Sequence, residues 1–161
     1  MTTATKNLQV TTRGDREIVM TRVFNAPRNL VWDTFTKPEL LKRWLYGPDD
    51  WSLAVCEYGQ KAGDRYRYVW HGAKGEEMAA GGIIREIRPP ERLVVTERFD
   101  EPWYAGEAVI TFVLSEANRQ TTLTQTLSYE SREARDLVLK SGMDVGLGMS
   151  FDRLETVLAS S

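Results

Sequence analysis

The fold is decided by residues 131–159, SREARDLVLKSGMDVGLGMSFDRLETVLA, because this stretch predicts one long helix. Its small and apolar residues recur at helical spacing on two stripes: Ala134, Val138, Ser141 and Val145, then Leu147, Phe151, Leu154 and Leu158. Ser131 is a candidate N-cap. About eight turns of helix with such a broad apolar side must be buried against another element.

Six strand patterns precede this helix and supply the surface on which it packs. Apolar and polar residues alternate in each of them, and short turn-forming breaks separate them: Trp51–Tyr58, Asp64–His71, Glu76–Arg88, Arg92–Phe99, Gly106–Ser115 and Thr121–Tyr129. Strands this close together, without a helical crossover, pair antiparallel.

The N-terminal part adds a seventh strand and two short helices. Residues 16–24, REIVMTRVF, are β-branched and alternating, and Pro27 then favours the first turn of a helix. Residues 36–39, TKPE, predict a capping box at the start of a second helix. Residues 1–15 are polar, and we expect a flexible tail there, followed by one domain over residues 16–161.

Composition excludes several classes of protein. Lys and Arg number 21 against 23 Asp and Glu, so no nucleic-acid surface is expected. No apolar run approaches the roughly 20 residues of a membrane span, so membrane insertion is not expected either. One cysteine, Cys56, and one histidine make a metal centre improbable, and we expect no cofactor. The polar N-terminus and the single cysteine favour a cytoplasmic protein.

Four stretches carry a resemblance to a known family: FNAP at 24–27 with Val31 and Trp32, LLKRW at 40–44, EIRPPERL at 86–93, and SGMD at 141–144 with FDRL at 151–154. In their order and spacing the chain resembles the bacterial homologues of the activator of heat-shock-protein-90 ATPase, of the SRPBCC (START-like) superfamily. The resemblance implies an α+β helix-grip (START-like, Bet v-like) fold, with a seven-stranded curved antiparallel sheet around the long C-terminal helix. Members of the superfamily bind lipids and hormones or act as small-molecule enzymes.

The predicted architecture encloses a space, because the two short helices close one end of the curved sheet and leave the other end open. Aromatic, flexible and polar residues are the candidates for its ligand-binding wall: Trp44, Trp51, Tyr66, Tyr68, Trp70, Met78, Glu97, Phe99, Trp103, Gln125, Met143, Gly146 and Met149. Filling of the hydrophobic core is the alternative role of the aromatic residues.

Alternation places two polar residues on inward faces. Glu97 shares its side of the strand with Leu93, and Gln125 lies between Leu123 and Leu127. If both side chains point inward, they form a polar pair in an apolar chamber. A buried carboxylate has a raised pKa and can act as a polar anchor or a general base. The alternative is that the strand end turns Glu97 towards solvent or an arginine.

The predicted long helix contains three glycines, although each glycine in a helix interior lowers stability by roughly 1 kcal/mol relative to alanine. Gly142, Gly146 and Gly148 make room for a ligand or a kink, with Met143 and Met149 as adaptable walls. Close packing of the helix on the sheet is the alternative.

Residues outside these walls have other candidate roles. Trp103 and Tyr104, in the loop at 101–104, are candidates for a gate or for a homodimer contact, with loop packing as the alternative. His71 is predicted at the surface.

Three functions remain open at this level: binding of a small hydrophobic or aromatic ligand, a cofactor-independent cyclase, hydrolase or isomerase using Glu97, and a co-chaperone or stress-related interaction protein that contacts a chaperone.

Overall fold

The computed structural model describes residues 8–160, which form an α+β domain with one antiparallel sheet. Its elements in chain order are β1 (Gln9–Arg13), β2 (Glu17–Phe24), α1 (Arg28–Thr36), α2 (Pro38–Leu41), β3 (Ser52–Tyr58), β4 (Arg65–His71), β5 (Glu77–Arg88), β6 (Arg92–Phe99), β7 (Ala108–Ala117), β8 (Gln120–Ser128), α3 (Arg132–Lys140) and α4 (Met143–Ala159). The strand order is β1-β2-β8-β7-β6-β5-β4-β3. Every strand pairs antiparallel with its neighbours.

The described sheet has eight strands, so the predicted count of seven is wrong by one. The additional strand is β1, within the segment predicted to be a flexible tail. It pairs with β2 through a tight turn at Gly14, and the buried guanidinium of Arg135 in α3 donates to the carbonyl oxygens of Gly14 and Glu17. Because β1 is held by contacts with a distant helix, the local sequence has no alternating pattern that would predict this strand. Residues 1–7 of the predicted tail lie outside the described residues.

Small residues in β5 allow its two neighbouring strands to approach it closely. A Cβ at Gly82 would overlap the backbone carbonyl of Thr96 in β6, and a Cβ at Gly81 would lie 2.6 Å from the carbonyl oxygen of Tyr66 in β4. The pairing of β5 with β6 also shifts register between Ile84 and Glu86. Such irregularities increase strand bending, and the concave side faces the helices.

The predicted single C-terminal helix is broken into α3 and α4. Gly142 has φ +81°, a left-handed conformation that glycine adopts without strain, and it ends the continuity of the helix. Ser131 caps α3 as predicted, accepting a hydrogen bond from the backbone N–H of Ala134 at 3.1 Å. Val145, which the sequence places on the inward stripe, follows this break and is 37% exposed.

Helix α4 is held against the sheet by aromatic packing and one ion pair. Phe151 is buried and packs edge-on against Phe24 of β2, with ring centroids 5.6 Å apart. Arg22 is only 2% exposed, and its guanidinium donates to Asp152 of α4 at 2.7 Å. Together these contacts set the distance between α4 and the concave face.

Helices α1 and α2 close one end of the sheet, as the sequence predicts. The predicted capping box does not form, because Thr36 is the last residue of α1 and its hydroxyl donates to the carbonyl of Trp32. Lys37 occupies the N-cap of α2 without a side-chain cap. None of the helices in the described part of the chain is both long and apolar enough to cross a membrane.

Candidate functional site

A cavity of about 430 Å³ lies between the concave face of the sheet and the C-terminal helices. Its walls are mostly aromatic and aliphatic side chains. Of the thirteen residues predicted to line a ligand space, eleven line this cavity: Trp44, Trp51, Tyr68, Trp70, Met78, Glu97, Phe99, Trp103, Gln125, Met143 and Gly146. A volume of this size lies in the range of pockets that hold small organic molecules.

The closed end of the cavity is built by α1, α2 and the turn that follows them. Trp44 is 1% exposed, and its indole N–H donates to the carbonyl of Thr34 at 2.8 Å, which fixes the ring against the end of α1. Phe35 packs on this ring with centroids 5.0 Å apart. The turn is tied to α4, because the guanidinium of Arg153 donates to the carbonyls of Trp44 and Gly47.

One side wall is a row of stacked rings from β3 and β4. The ring centroids of Tyr58 and Tyr68 are 6.2 Å apart, and those of Tyr68 and Trp70 are 5.3 Å apart. The indole N–H of Trp70 donates to the carbonyl of Leu45 at 2.9 Å. The inward face predicted for β4 is therefore present, and the rings are held in fixed orientations.

Tyr66 does not line the cavity, contrary to the prediction. It is 4% exposed, and its hydroxyl donates to the carbonyl of Thr96 in β6. The side chain can cross β5 because Gly82, its partner in that strand, has no side chain. Tyr66 thus lies beneath the wall and holds the backbone next to Glu97.

The opposite side wall comes from the end of β6, the loop at 100–106 and the residue after β8. Phe99 packs edge-on against Trp103, with ring centroids 5.9 Å apart, and Tyr104 packs edge-on against Tyr129, with ring centroids 5.3 Å apart. Trp103 is 37% exposed, whereas Tyr104, the other candidate for a gate or a homodimer contact, is only 6% exposed. The buried Tyr104 hydroxyl has no hydrogen-bond partner within the described chain.

Glu97 extends into the cavity between these two walls. Its carboxylate forms no hydrogen bond or ion pair with any other residue of the range 8–160. Burial raises the pKa of Glu97 from 4.5 to about 7. Its negative charge in turn contributes to raising the pKa of tyrosines from both walls, among them Tyr58, Tyr68 and Tyr129, after the larger effect of burial. The inward orientation predicted for Glu97 is therefore correct.

Gln125 also lies in the cavity wall, but it does not form the predicted pair with Glu97. Gln125 is opposite Phe112, and Glu97 is opposite Ala108, four residues away on the same central strand. At ordinary strand dimensions the two backbone positions are roughly 16 Å apart along the sheet. Gln125 Oε1 is buried without a hydrogen-bond partner, so the cavity has two separate polar positions.

The helical side of the cavity is formed by the start of α4. Met143, Gly146 and Leu147 line it. A Cβ at Gly146 would meet no heavy atom within 4 Å, so the absent side chain leaves open space, one of the two predicted roles. Met149 is not in the lining, because it lies on another side of the helix, in a surface groove with Asp152 and Arg153.

Several lining residues were missed by sequence reasoning, and among them Phe112 and Tyr129 carried a signal that could have identified them. Phe112 and Tyr129 share the inward parity of their neighbours Ile110 and Leu127. Tyr58 does not follow a simple alternation, because a register shift between Leu53 and Val55 moves the inward face by one residue.

The remaining reactive side chains lie away from the cavity wall. His71 is exposed and contacts Glu77 Oε1 at 3.1 Å, as expected for a surface histidine. Burial raises the pKa of the Cys56 thiol to about 11, so it is protonated at neutral pH. Residues 8–160 contain no group of three His, Cys, Asp or Glu side chains arranged for a metal ion.

The fold and the cavity define a helix-grip protein of the START-like type. Within that class, the chain belongs to the family described as activator of Hsp90 ATPase homolog 1-like protein, whose model matches residues 25–159. No curated protein is significantly similar to the chain in sequence.

Solved structures share this fold over nearly the whole chain. A protein of Rhodobacter sphaeroides is 28% identical and superimposes with a TM-score of 0.91, covering 97% of this chain and 100% of that one. Protein Ms6760 from Mycobacterium smegmatis is 23% identical, with a TM-score of 0.84 over 95% and 97% of the two chains. An AHSA1-like protein from Aeromonas hydrophila is 15% identical, with a TM-score of 0.72 over 88% and 93%.

Proposed function

We propose that this protein binds a small, largely apolar molecule in the cavity between the sheet and α4. The observation that supports the proposal is the combination of open apolar space with polar atoms that have no partner. Glu97, the Tyr104 hydroxyl and Gln125 Oε1 all belong to residues of the wall, and none of these groups is hydrogen-bonded within the described chain. Buried polar groups are nearly always paired, and a ligand with its own polar groups supplies the missing partners.

The apolar lining accounts for the main part of the binding energy. Burial of apolar surface is worth roughly 25 cal/mol per Å², and rigid aromatic rings lose little conformational freedom on binding. The rings of Trp44 and Trp70 are fixed by hydrogen bonds to backbone carbonyls. The cavity is thus largely formed before the ligand enters, which reduces the cost of ordering the site.

Replacement of Gly146 by leucine tests this proposal by filling the cavity from the helix. The side chain enters open space, so the variant is expected to be at least as stable as the wild type, with a gain of up to about 1 kcal/mol from helix propensity. It is expected to bind the apolar probe naphthylethanol about 30-fold more weakly. Isothermal titration calorimetry measures the affinity, and urea unfolding measures the stability.

The matched control is Val145→Leu, which adds bulk to the preceding residue, on the exposed side of the same helix. This control is expected to bind the probe like the wild type. Unchanged binding by Gly146→Leu, or equal losses in both variants, would contradict the location of the site.

A cofactor-independent enzyme is the second candidate, and the raised pKa of Glu97 favours it. A carboxylate that titrates near neutral pH can act as a general base on a bound molecule. Glu97 accepts no hydrogen bond from Tyr66 or Tyr68, although both lie near it. Turnover of a bound compound that is lost in Glu97→Gln, while binding persists, would favour this function over binding alone.

A co-chaperone function, suggested by the family description, receives less support. It requires an outward apolar patch as a docking surface. The exposed large apolar side chains are distributed over several elements, for example Val55 on β3, Ile83 on β5 and Leu137 on α3. Contact with a chaperone therefore stays a prediction of the resemblance.

A further inference from the structure

The cavity is lined by many aromatic rings and by a single charged side chain, which is negative. Among its described lining residues Glu97 is the only Asp or Glu, and there is no Lys, Arg or His. An anionic ligand would enter a site with no cation to pair with it and would face the carboxylate. Desolvating an unpaired charge is costly, so the lining disfavours acids.

Several aromatic rings lie near Glu97. Its charge acts on the pKa values of Tyr58 and Tyr68 in one wall and of Tyr104 in the other, and Phe99 follows it by two residues on the same face of β6. The negative face of an aromatic ring attracts an ammonium group, and several rings around one carboxylate strengthen this attraction. The carboxylate has no partner of its own within residues 8–160.

We infer that the natural ligand is a hydrophobic amine, whose ammonium group pairs with Glu97 while its apolar body fills the cavity towards Phe112 and Gly146. The inference rests on the proposed function and adds the chemical class of the ligand. A site that binds fatty acids or other carboxylates would instead need a cationic side chain in its wall.

The position of the ammonium group follows from the structure around Glu97. The hydrogen bond from Tyr66 to the carbonyl of Thr96 fixes the backbone immediately before it. The unpaired hydroxyl of Tyr104 is a further acceptor for an N–H donor on the same side of the cavity. An amine therefore satisfies two groups that lack partners.

Binding of an amine is expected to strengthen as pH rises through neutrality. Glu97 titrates near pH 7, and only its ionised form pairs with the ammonium group. The titratable groups that face it are Tyr58 from β3, Tyr66 and Tyr68 from β4, Tyr104 from the loop and Tyr129 after β8. All five have pKa values raised above 10 by burial. The α3 and α4 residues of the wall, such as Val138 and Leu147, carry no titratable group, so Glu97 sets the pH dependence.

Three probes of one shape test the inference: naphthylethylamine, naphthylethanol and naphthylacetic acid, titrated calorimetrically into the wild type. At about pH 8 the amine is expected to bind about tenfold tighter than the alcohol, and the acid about tenfold weaker. At about pH 6 the advantage of the amine should fall severalfold. In Glu97→Gln the amine should bind no tighter than the alcohol.

The alcohol separates failure of the inference from failure of the proposed function. If the alcohol binds but the acid binds as tightly as the amine, or the preference for the amine survives in Glu97→Gln, the amine inference is wrong and the cavity remains a binding site. If none of the three probes binds the wild type, the proposed function fails and the inference fails with it. A cooperative unfolding transition in urea shows that the Glu97→Gln variant is folded.

Discussion

Replacement of Gly82 by alanine is expected to destabilise the protein by at least about 3 kcal/mol, because the added methyl group has no room. Its carbon would overlap the carbonyl oxygen of Thr96 and lie 2.6 Å from the carbonyl carbon. These are backbone atoms of the neighbouring strand, so no side-chain rotation relieves the overlap. Thr96 is also held by two hydrogen bonds, because the Tyr66 hydroxyl donates to its carbonyl and the N–H of Ile83 donates to its side-chain hydroxyl.

Urea unfolding monitored by tryptophan fluorescence measures this effect. Gly146→Ala is the matched control, because a methyl group there meets open space. It is expected to be stabilised by up to about 1 kcal/mol from helix propensity. A Gly82→Ala variant with the unfolding midpoint of the wild type would show that β5 and β6 are not as close as described.

The second large effect concerns the pH dependence of stability in Glu97→Gln. The folded-state pKa of Glu97 is about 7, above its ordinary value of 4.5. Below pH 4.5 the carboxyl is protonated in both the folded and the unfolded state. Between pH 4.5 and about 7 the unfolded state loses the proton first, so the stability of the wild type falls with rising pH.

Glutamine does not ionise, and the variant should not lose this part of its stability. The free energy of unfolding of Glu97→Gln minus that of the wild type should therefore increase from pH 4.5 to about 7 and stay constant above it. The total change is expected to be on the order of 3 kcal/mol. Urea unfolding at several pH values measures it, and a difference that does not vary with pH would mean that Glu97 is well solvated.

The strands and the inward faces could be predicted because they depend on local alternation. The inward positions of Glu97 and Trp70 follow from the parity of their own strands. The packing of Phe151 and Leu154 follows from helical spacing. These patterns directly record which side of an element is buried.

Other features depend on contacts between distant segments, which no local pattern records. The strand β1 is held by Arg135 from the far end of the chain. The inward position of Tyr58 depends on a register shift, and the separation of Glu97 from Gln125 depends on the pairing across β7. A kink and space for a ligand were both open to the glycines, and the sequence does not show that Gly142 takes the first role and that Gly146 leaves open space.

The crystal structure of the protein with naphthylethanol tests the central claim most directly. The account predicts the naphthyl ring inside the cavity, between Trp70, Phe112 and the open side of Gly146, with its hydroxyl directed to Glu97 or Gln125. A crystal in which the ring lies only on the outer surface, while the side chains of the walls fill the space next to Gly146, would contradict it.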